Sequence, residues 1–271
     1  MRGRVLIIAG SDSGGGAGIQ ADIKSCAAMD AYSATAITAL TAQDTLGVHG
    51  VHPVPTAFIR QQIRLSLRDI GADAIKTGML GDAATIDAVC DALAEDGRGI
   101  PLVADPVMVA KGGSNLLAPD AVETLKRRLL PFAAVLTPNI PEAEVLSGMR
   151  IAGLEDMRAA AEMMLTLGVP AVLLKGGHLE GRRLLDLLAT ENGTEVFESP
   201  RVETRHTHGT GCTLASAIAA GLAQGMGLRD AVVRGRAFVQ VALRAAPGLG
   251  RGHGPLNHGV TVDPARIAAL S

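Results

Sequence analysis

Short runs dominated by apolar residues, most of them closing on a polar one, recur along this chain, and helix-type stretches separate them. Val5-Leu6-Ile7-Ile8-Ala9 is the first, ending at Gly10, and runs at 35–40, 74–76, 102–105, 134–137 and 171–175 follow. A strand with one wet face alternates apolar and polar residues. A strand apolar throughout is covered on both faces, which is the mark of a parallel sheet. Helical stretches lie between the runs, at 19–29, 58–69, 83–95, 119–130, 141–146 and 154–167. This alternation predicts an α/β fold in which helices cover both faces of a mostly parallel sheet. Segments 184–190 and 194–198, joined by Glu191-Asn192-Gly193, predict a β-hairpin. Two further helices are expected at 213–224 and 228–245, then a loop from Gly248 and a last helical turn. No linker, repeat or low-complexity tract divides the sequence, so one domain over residues 1–271 is expected.

Composition removes several classes of function. With 48% hydrophobic and 19% charged residues, 271 residues can build a large core. Lys and Arg number 25 against 27 Asp and Glu, so no basic excess points to nucleic acid. No apolar run approaches a membrane span, and residues 5–9 after the basic Met1-Arg2-Gly3-Arg4 are too short for a signal peptide. Cys26, Cys90 and Cys212 are scattered without a CxxC pair, which suits a reducing, cytoplasmic setting. Aromatic residues are only 2% and Trp is absent, so a flat ligand has few rings to stack on.

Polar residues gather just past the strand ends, where open parallel sheets bind ligands: Ser11, Asp12, Gln43, Lys76, Asp105, Asn139 and Lys175. His208-Gly209-Thr210-Gly211-Cys212-Thr213 stands before a long apolar helix. Glycines there leave backbone N–H groups open to an anion, and the helix dipole adds positive charge. The same field would favour a thiolate at Cys212. The plain alternative is a turn made by glycines with a small filling cysteine. The loop Gly10-Ser11-Asp12-Ser13-Gly14-Gly15-Gly16-Ala17-Gly18 fits neither a dinucleotide fingerprint nor a Walker A motif. Asp22 reaches toward that loop or serves as a first-turn acid for its helix. Asp105 ends a buried strand. Asn139 and Glu142, three apart, suit Mg²⁺ through oxygen ligands, an N-terminal capping box, or both. Lys175 before Gly176-Gly177 is a compact positive charge for phosphates. The His206-Thr207-His208 pair is explained by alternation and not by a metal.

Taken in order, AGSDSGGGAGIQADIK (9–24), TALTAQDT (38–45), IKTGML (75–80), VADPVMVAKGG (103–113), LTPNIPEAE (136–144), LLKGGH (173–178), THGTGCTLASAIAA (207–220) and GHGPLNH (252–258) closely resemble the hydroxymethylpyrimidine and phosphomethylpyrimidine kinases of thiamine biosynthesis, within the ribokinase-like superfamily. The resemblance runs from about residue 5 to 258. It implies a three-layer α/β/α fold with little or no separate lid domain. It implies ATP and Mg²⁺ as cofactors, a pyrimidine alcohol and then its monophosphate as substrates, and a homodimer. Gly10, Asp22, Gln43, Met79 and Val107 would line the pyrimidine pocket. Gly209, Thr210, Gly211 and Cys212 would form the anion hole, with Lys175 bracing phosphates. Asp105 and Glu142 would hold Mg²⁺, with Asn139 nearby. Sugar kinases of this superfamily carry an Asp after the Gly-x-Gly where this chain has Cys212. Cys212 would then be the general base, with Asp22 as the next candidate. Vitamin B6 kinases of the same fold are the close rival reading. A cysteine hydrolase built on Cys212 would leave Lys175, Asp105 and Asn139 unexplained. A silent nucleotide-binding regulator has no need of the full phosphate and metal set.

Overall fold

The structure is a computed structural model that describes residues 1–109, 113, 116–118, 120–179 and 181–263. Among these residues the strands are β1 (Arg4–Asp12), β2 (Tyr32–Gln43), β3 (Val48–Pro53), β4 (Ala74–Thr77), β5 (Leu102–Ala104), β6 (Ala133–Leu136), β7 (Ala171–Lys175), β8 (Arg183–Thr190) and β9 (Gly193–Pro200). The helices are α1 (Gly18–Ala28), α2 (Thr56–Asp69), α3 (Ala83–Asp96), α4 (Ala121–Thr124), α5 (Ile140–Ser147), α6 (Leu154–Leu165), α7 (Thr210–Ala223) and α8 (Leu228–Arg244). The strands form one sheet in the order β3-β2-β1-β4-β5-β6-β7-β8-β9. Strands β2, β1, β4, β5, β6 and β7 are mutually parallel, while β3, β8 and β9 pair antiparallel.

Successive residues of a strand point to opposite faces, and both faces are dry here. Val5, Ile7 and Ala9 pack with Val103, Val135 and Leu173 under Ile19 of α1, Leu214 and Ile218 of α7, and Val232 of α8. Leu6 and Ile8 pack with Ile75, Leu102 and Leu174 against Ile63 of α2, Val89 of α3 and Met164 of α6. This is the expected three-layer arrangement. No helix among the described residues is long and apolar enough to cross a membrane.

Two elements differ from expectation. Strand β3 reads as polar loop, with its residues exposed or half-exposed, and exists through its antiparallel pairing with the end of β2. The helix expected over 119–130 begins at α4, opens into a wide π turn at Leu125–Leu129 and closes in a 3-10 turn at Leu130–Phe132. Pro131 donates no N–H and breaks the regular ladder there. A 3-10 turn at His258–Thr261 follows the loop from Gly248, while Pro119 and residues 110–112 of the motif at 103–113 lie outside the described residues.

Because the inner strands are parallel, their carboxyl ends share one rim. Backbone hydrogen bonds stitch that rim together. Gly78 N–H donates to Ile8 O at 2.9 Å, Asp105 N–H to Thr77 O at 3.0 Å and Lys175 N–H to Pro138 O at 2.8 Å. Helix α7 lies against β1, β4 and β5 and against α1.

Helix α2 offers a direct check on the core. Ile63 is fully buried and Leu65 is 60% exposed on the opposite face. Ile63→Ala is expected to lower unfolding free energy by about 2–5 kcal/mol and Leu65→Ala by less than about 0.5 kcal/mol, measured by urea titration.

Candidate active site

The first turn of α7 sits at the centre of the rim. Its N-cap is Gly209 at φ +82°, and no side chain caps the helix. A left-handed φ favours glycine, and a Cβ at Gly209 would also collide with the carbonyl oxygen of Gly16. The helix start is therefore pressed backbone to backbone against the glycine-rich loop. The leading N–H groups of a helix have no intrahelical acceptor, so the uncapped start of α7, where Thr210 N–H makes a long bond to Thr207 O at 3.4 Å, leaves donors for an anion.

Two charged groups face this turn. A Cβ built on Gly211 would lie 3.2 Å from Lys175 Nζ and 3.7 Å from Asp105 Oδ2. Lys175 Nζ donates to Asp105 Oδ1 at 2.9 Å, and Thr137 Oγ1 donates to the same oxygen at 3.1 Å. Burial works against the ammonium of Lys175, but Asp105 and Glu142 outweigh it and hold its pKa above the ordinary lysine range. The backbone behind Lys175 is pinned: Gly176 N–H donates to Asp186 Oδ1 at 3.0 Å, and Arg236 Nε donates to Asp186 Oδ2 at 2.8 Å. Gly176 has no room for a Cβ against the Leu185 carbonyl.

Asn139 and Glu142 form a capping box at the start of α5. Asn139 N–H donates to Glu142 Oε2 at 2.9 Å, and Glu142 N–H donates to Asn139 Oδ1 at 3.0 Å. Burial, with the negative charge of Asp105 adding to it against the pull of Lys175, pushes the Glu142 carboxyl up to about 7. Among the described residues no three His, Cys, Asp or Glu side chains cluster as a metal cage. The acidic side chains at this corner are Asp105 and Glu142, with the Asn139 oxygen already accepting the cap hydrogen bond.

Behind the site lies a second charged cluster. Asp22 is fully buried, as are Lys76 and Ser216. Lys76 Nζ donates to both Asp22 oxygens, at 3.0 and 2.8 Å, and Ser216 Oγ donates to Oδ1 at 2.7 Å. Asp22 is thus neither a first-turn dipole acid nor an open pocket wall. It receives three donors and ties α1 to β4 and α7. Burial opposes the Lys76 charge, but the neighbouring negative groups, Asp22 first, raise its pKa. Cys212 stands between the clusters. Burial pushes its thiol up to about 12, Lys76 pulls it down, and Asp22 and Asp105 push it further up. The thiolate expected from the helix field is therefore not the resting form, because desolvation exceeds the stabilisation.

The other residues expected to line the ring pocket sit on β1, on β2 and in the loops after β4 and β5. A Cβ on Gly10 would lie 3.2 Å from Met79 Sδ, so these residues form one wall. Val107 follows Asp105 in the loop after β5, its N–H bonded to Asp105 O at 2.9 Å. The Gln43 amide ends β2, with Nε2 3.2 Å from His208 Nε2 and Oε1 3.2 Å from Thr41 Oγ1. His208 Nε2 is also 2.9 Å from Asp12 Oδ2. Asp12, Lys76 and His208 were legible only as strand-end or loop polar residues, since the Asp12–His208 and Lys76–Asp22 pairs join distant positions, and Asp186 inside β8 carried no signal of its own.

A family model for phosphomethylpyrimidine kinase matches residues 12–257. The chain belongs to the phosphomethylpyrimidine kinase family. It is a kinase. A hydroxymethylpyrimidine/phosphomethylpyrimidine kinase of Bacillus subtilis is 47% identical over 256 residues, covering 94% of each chain. A thiamine biosynthesis bifunctional protein of Geobacter sulfurreducens is 51% identical over 98% of this chain, which spans 54% of that protein's length. Among solved structures, a pyridoxal kinase from Bacillus subtilis in complex with ADP superposes with TM-score 0.89 at 38% identity, covering 96% of this chain and 98% of that one.

Two measurements check the electrostatics of this family site. Lys76→Met leaves the Asp22 carboxylate buried without its cation and should cost about 3–5 kcal/mol by urea unfolding, largely recovered in Lys76→Met/Asp22→Leu. Glu142 binds its proton more tightly folded than unfolded, so its contribution favours the folded state at low pH and is lost as pH rises from 4.5 to about 7. In chelator-treated buffer, Glu142→Gln should flatten the stability–pH curve over that window.

Proposed function

We propose that this kinase transfers the γ-phosphate of ATP to the hydroxymethyl group of 4-amino-5-hydroxymethyl-2-methylpyrimidine. It then phosphorylates the monophosphate to the diphosphate, in thiamine biosynthesis. The carrying observation is the uncapped first turn of α7 with Lys175 and Asp105 facing it. The names of the Bacillus and Geobacter relatives support the pyrimidine substrate and the pathway. The ADP complex of the pyridoxal kinase supports an adenine nucleotide as donor.

Each residue then has a task. Gln43 offers the ring one donor and one acceptor. Met79 supplies a soft apolar wall where the chain has few aromatic rings. Val107 closes the pocket from the β5 loop. The N–H groups at Gly209, Thr210, Gly211 and Cys212 stabilise charge on the transferred phosphoryl group, and positioning with charge stabilisation supplies most of the acceleration. Lys175, held against Asp105, turns its ammonium to the phosphates. Asp105 and Glu142 fit Mg²⁺, since two buried carboxylates crowd one lysine and Glu142 resists ionisation without a further cation. A Mg²⁺ ion that keeps its waters would neutralise phosphate charge at that corner. Asn139 supports it by capping α5 and orienting Glu142.

Cys212 is the proposed base for the alcohol proton. Its thiol is protonated at rest, so the thiolate must form before transfer. We place the enzyme in the cytoplasm as a single-domain homodimer. Exposed Leu40, Leu46 and Val51 on the β2–β3 edge support an apolar contact between two copies.

ADP release from Mg-ATP with the pyrimidine alcohol, its monophosphate and pyridoxine as separate acceptors tests the assignment. Turnover on the first two with pyridoxine much slower is expected, and turnover on pyridoxine alone would move the enzyme to vitamin B6 chemistry. If Cys212 is the base, kcat rises with pH from 6 toward 9, because each unit of pH below the thiol pKa yields more thiolate. Cys212→Ser should then lower kcat by roughly 10²–10⁴-fold and remove that slope. A pH-independent kcat would remove Cys212 from the role.

A further inference from the structure

The His206-x-His208 pair is not explained by the phosphate site. His208 is buried, and its Nε2 stands between Asp12 Oδ2 at 2.9 Å and the Gln43 amide at 3.2 Å. The Asp12 carboxylate accepts N–H groups from Gly14 at 2.8 Å, Gly16 at 3.0 Å and Ala17 at 2.8 Å. A carboxylate ringed by backbone donors is an acceptor only. Burial works against its charge, yet the bonds from His208 and from the Ala17 and Gly14 N–H groups outweigh it and hold the carboxyl below its usual range. His208 Nε2 must therefore carry a proton. Asp12 takes that proton at 2.9 Å, and a protonated ring nitrogen has no lone pair left to accept an amide N–H, so the 3.2 Å contact favours the amide's oxygen.

The other end of the amide gives the same answer independently. Thr41 Oγ1 donates its one proton to Ser11 O at 2.9 Å. A hydroxyl whose proton is already committed can only accept, so it requires the amide's nitrogen. Both neighbours favour the same half-turn of the amide, with Oε1 toward His208 and Nε2 toward Thr41. In the opposite sense nitrogen faces nitrogen at 3.2 Å and the Thr41 proton is claimed twice.

We infer that His208 is a positioning residue that, together with Thr41, fixes which way round the Gln43 amide meets the substrate ring. This rests on the reading that Gln43 recognises the pyrimidine edge. One amide N–H and one oxygen lone pair remain for the ring, in a set order. A 4-aminopyrimidine edge offers an N–H donor beside a ring-nitrogen acceptor. The 4-oxo analogue offers the reverse, an acceptor beside a ring N–H. The anchored amide accepts the first and rejects the second.

The test compares kcat/KM for the 4-amino and 4-oxo pyrimidine alcohols in wild type, His208→Leu, His208→Gln, Thr41→Val and Gln43→Leu. The wild type favours the amino compound. His208→Leu frees the amide to turn and lowers that preference by roughly tenfold or more. His208→Gln, which keeps a donor at the same reach, restores it. Thr41→Val removes the far anchor, leaves the buried histidine in place and lowers the preference as well. A role in folding alone would depress both substrates equally and leave their ratio fixed. An unchanged ratio in His208→Leu and Thr41→Val, with loss of the ratio in Gln43→Leu, overturns the inference and spares the Gln43 reading. An unchanged ratio in Gln43→Leu overturns both.

Discussion

The contact between Gly209 and the carbonyl of Gly16 decides where α7 begins, and the site is arranged around that point. Neither position tolerates a side chain there: Gly209 would strike Gly16 O, and Gly16 would strike the His208 ring. Two distant loops are thereby held backbone to backbone at the carboxyl rim of the sheet. The consequence is a helix start that no side chain covers, placed where β1, β4, β5 and β7 end. Backbone donors are thereby held in fixed positions at the rim, which suits an anion. Preorganised dipoles of this kind stabilise developing charge without having to reorient during the reaction.

Buried charge supports that arrangement from two sides. Lys175 with Asp105 stands in front of the helix turn, and Lys76 with Asp22 stands behind it. Each cation is desolvated, and each keeps its charge because carboxylates sit against it. The front pair is shared, since Lys175 also feels the charge of Glu142. The rear pair is fully buried, and Ser216 adds a third hydrogen bond to Asp22. Its place in the fold is to hold α1, β4 and α7 in register. Cys212, caught between the two, is governed by burial more than by either cation.

The sheet core and most helices were legible from mostly apolar strand runs and from helical spacing, and the hairpin from Asn192-Gly193 at its turn. Strand β3 was not, since its side chains are exposed and only its pairing with β2 makes it a strand. The break after α4 follows from Pro131 inside an otherwise helical pattern. Within the site, Gly209, Gly211, Lys175 and Asp105 were legible from loop and strand-end position, and the structure brings them together. The burial of Asp22 was hidden, because a helix acid looks the same whether it faces solvent or a lysine 54 positions away. The protonated state of Cys212 was hidden too: a helix start suggests a thiolate, and the opposing desolvation depends on tertiary packing. His208 read as simple alternation, and its partners at positions 12 and 43 end the neighbouring strands β1 and β2, far from it in sequence.

A crystal structure of the complex with a non-hydrolysable ATP analogue and the pyrimidine alcohol measures the central claim most directly. The account predicts the terminal phosphate on the N–H groups of residues 209–212, with Lys175 turned from Asp105 onto it and the alcohol oxygen beside Cys212. A terminal phosphate bound away from the first turn of α7, with the Lys175–Asp105 pair undisturbed, would contradict it.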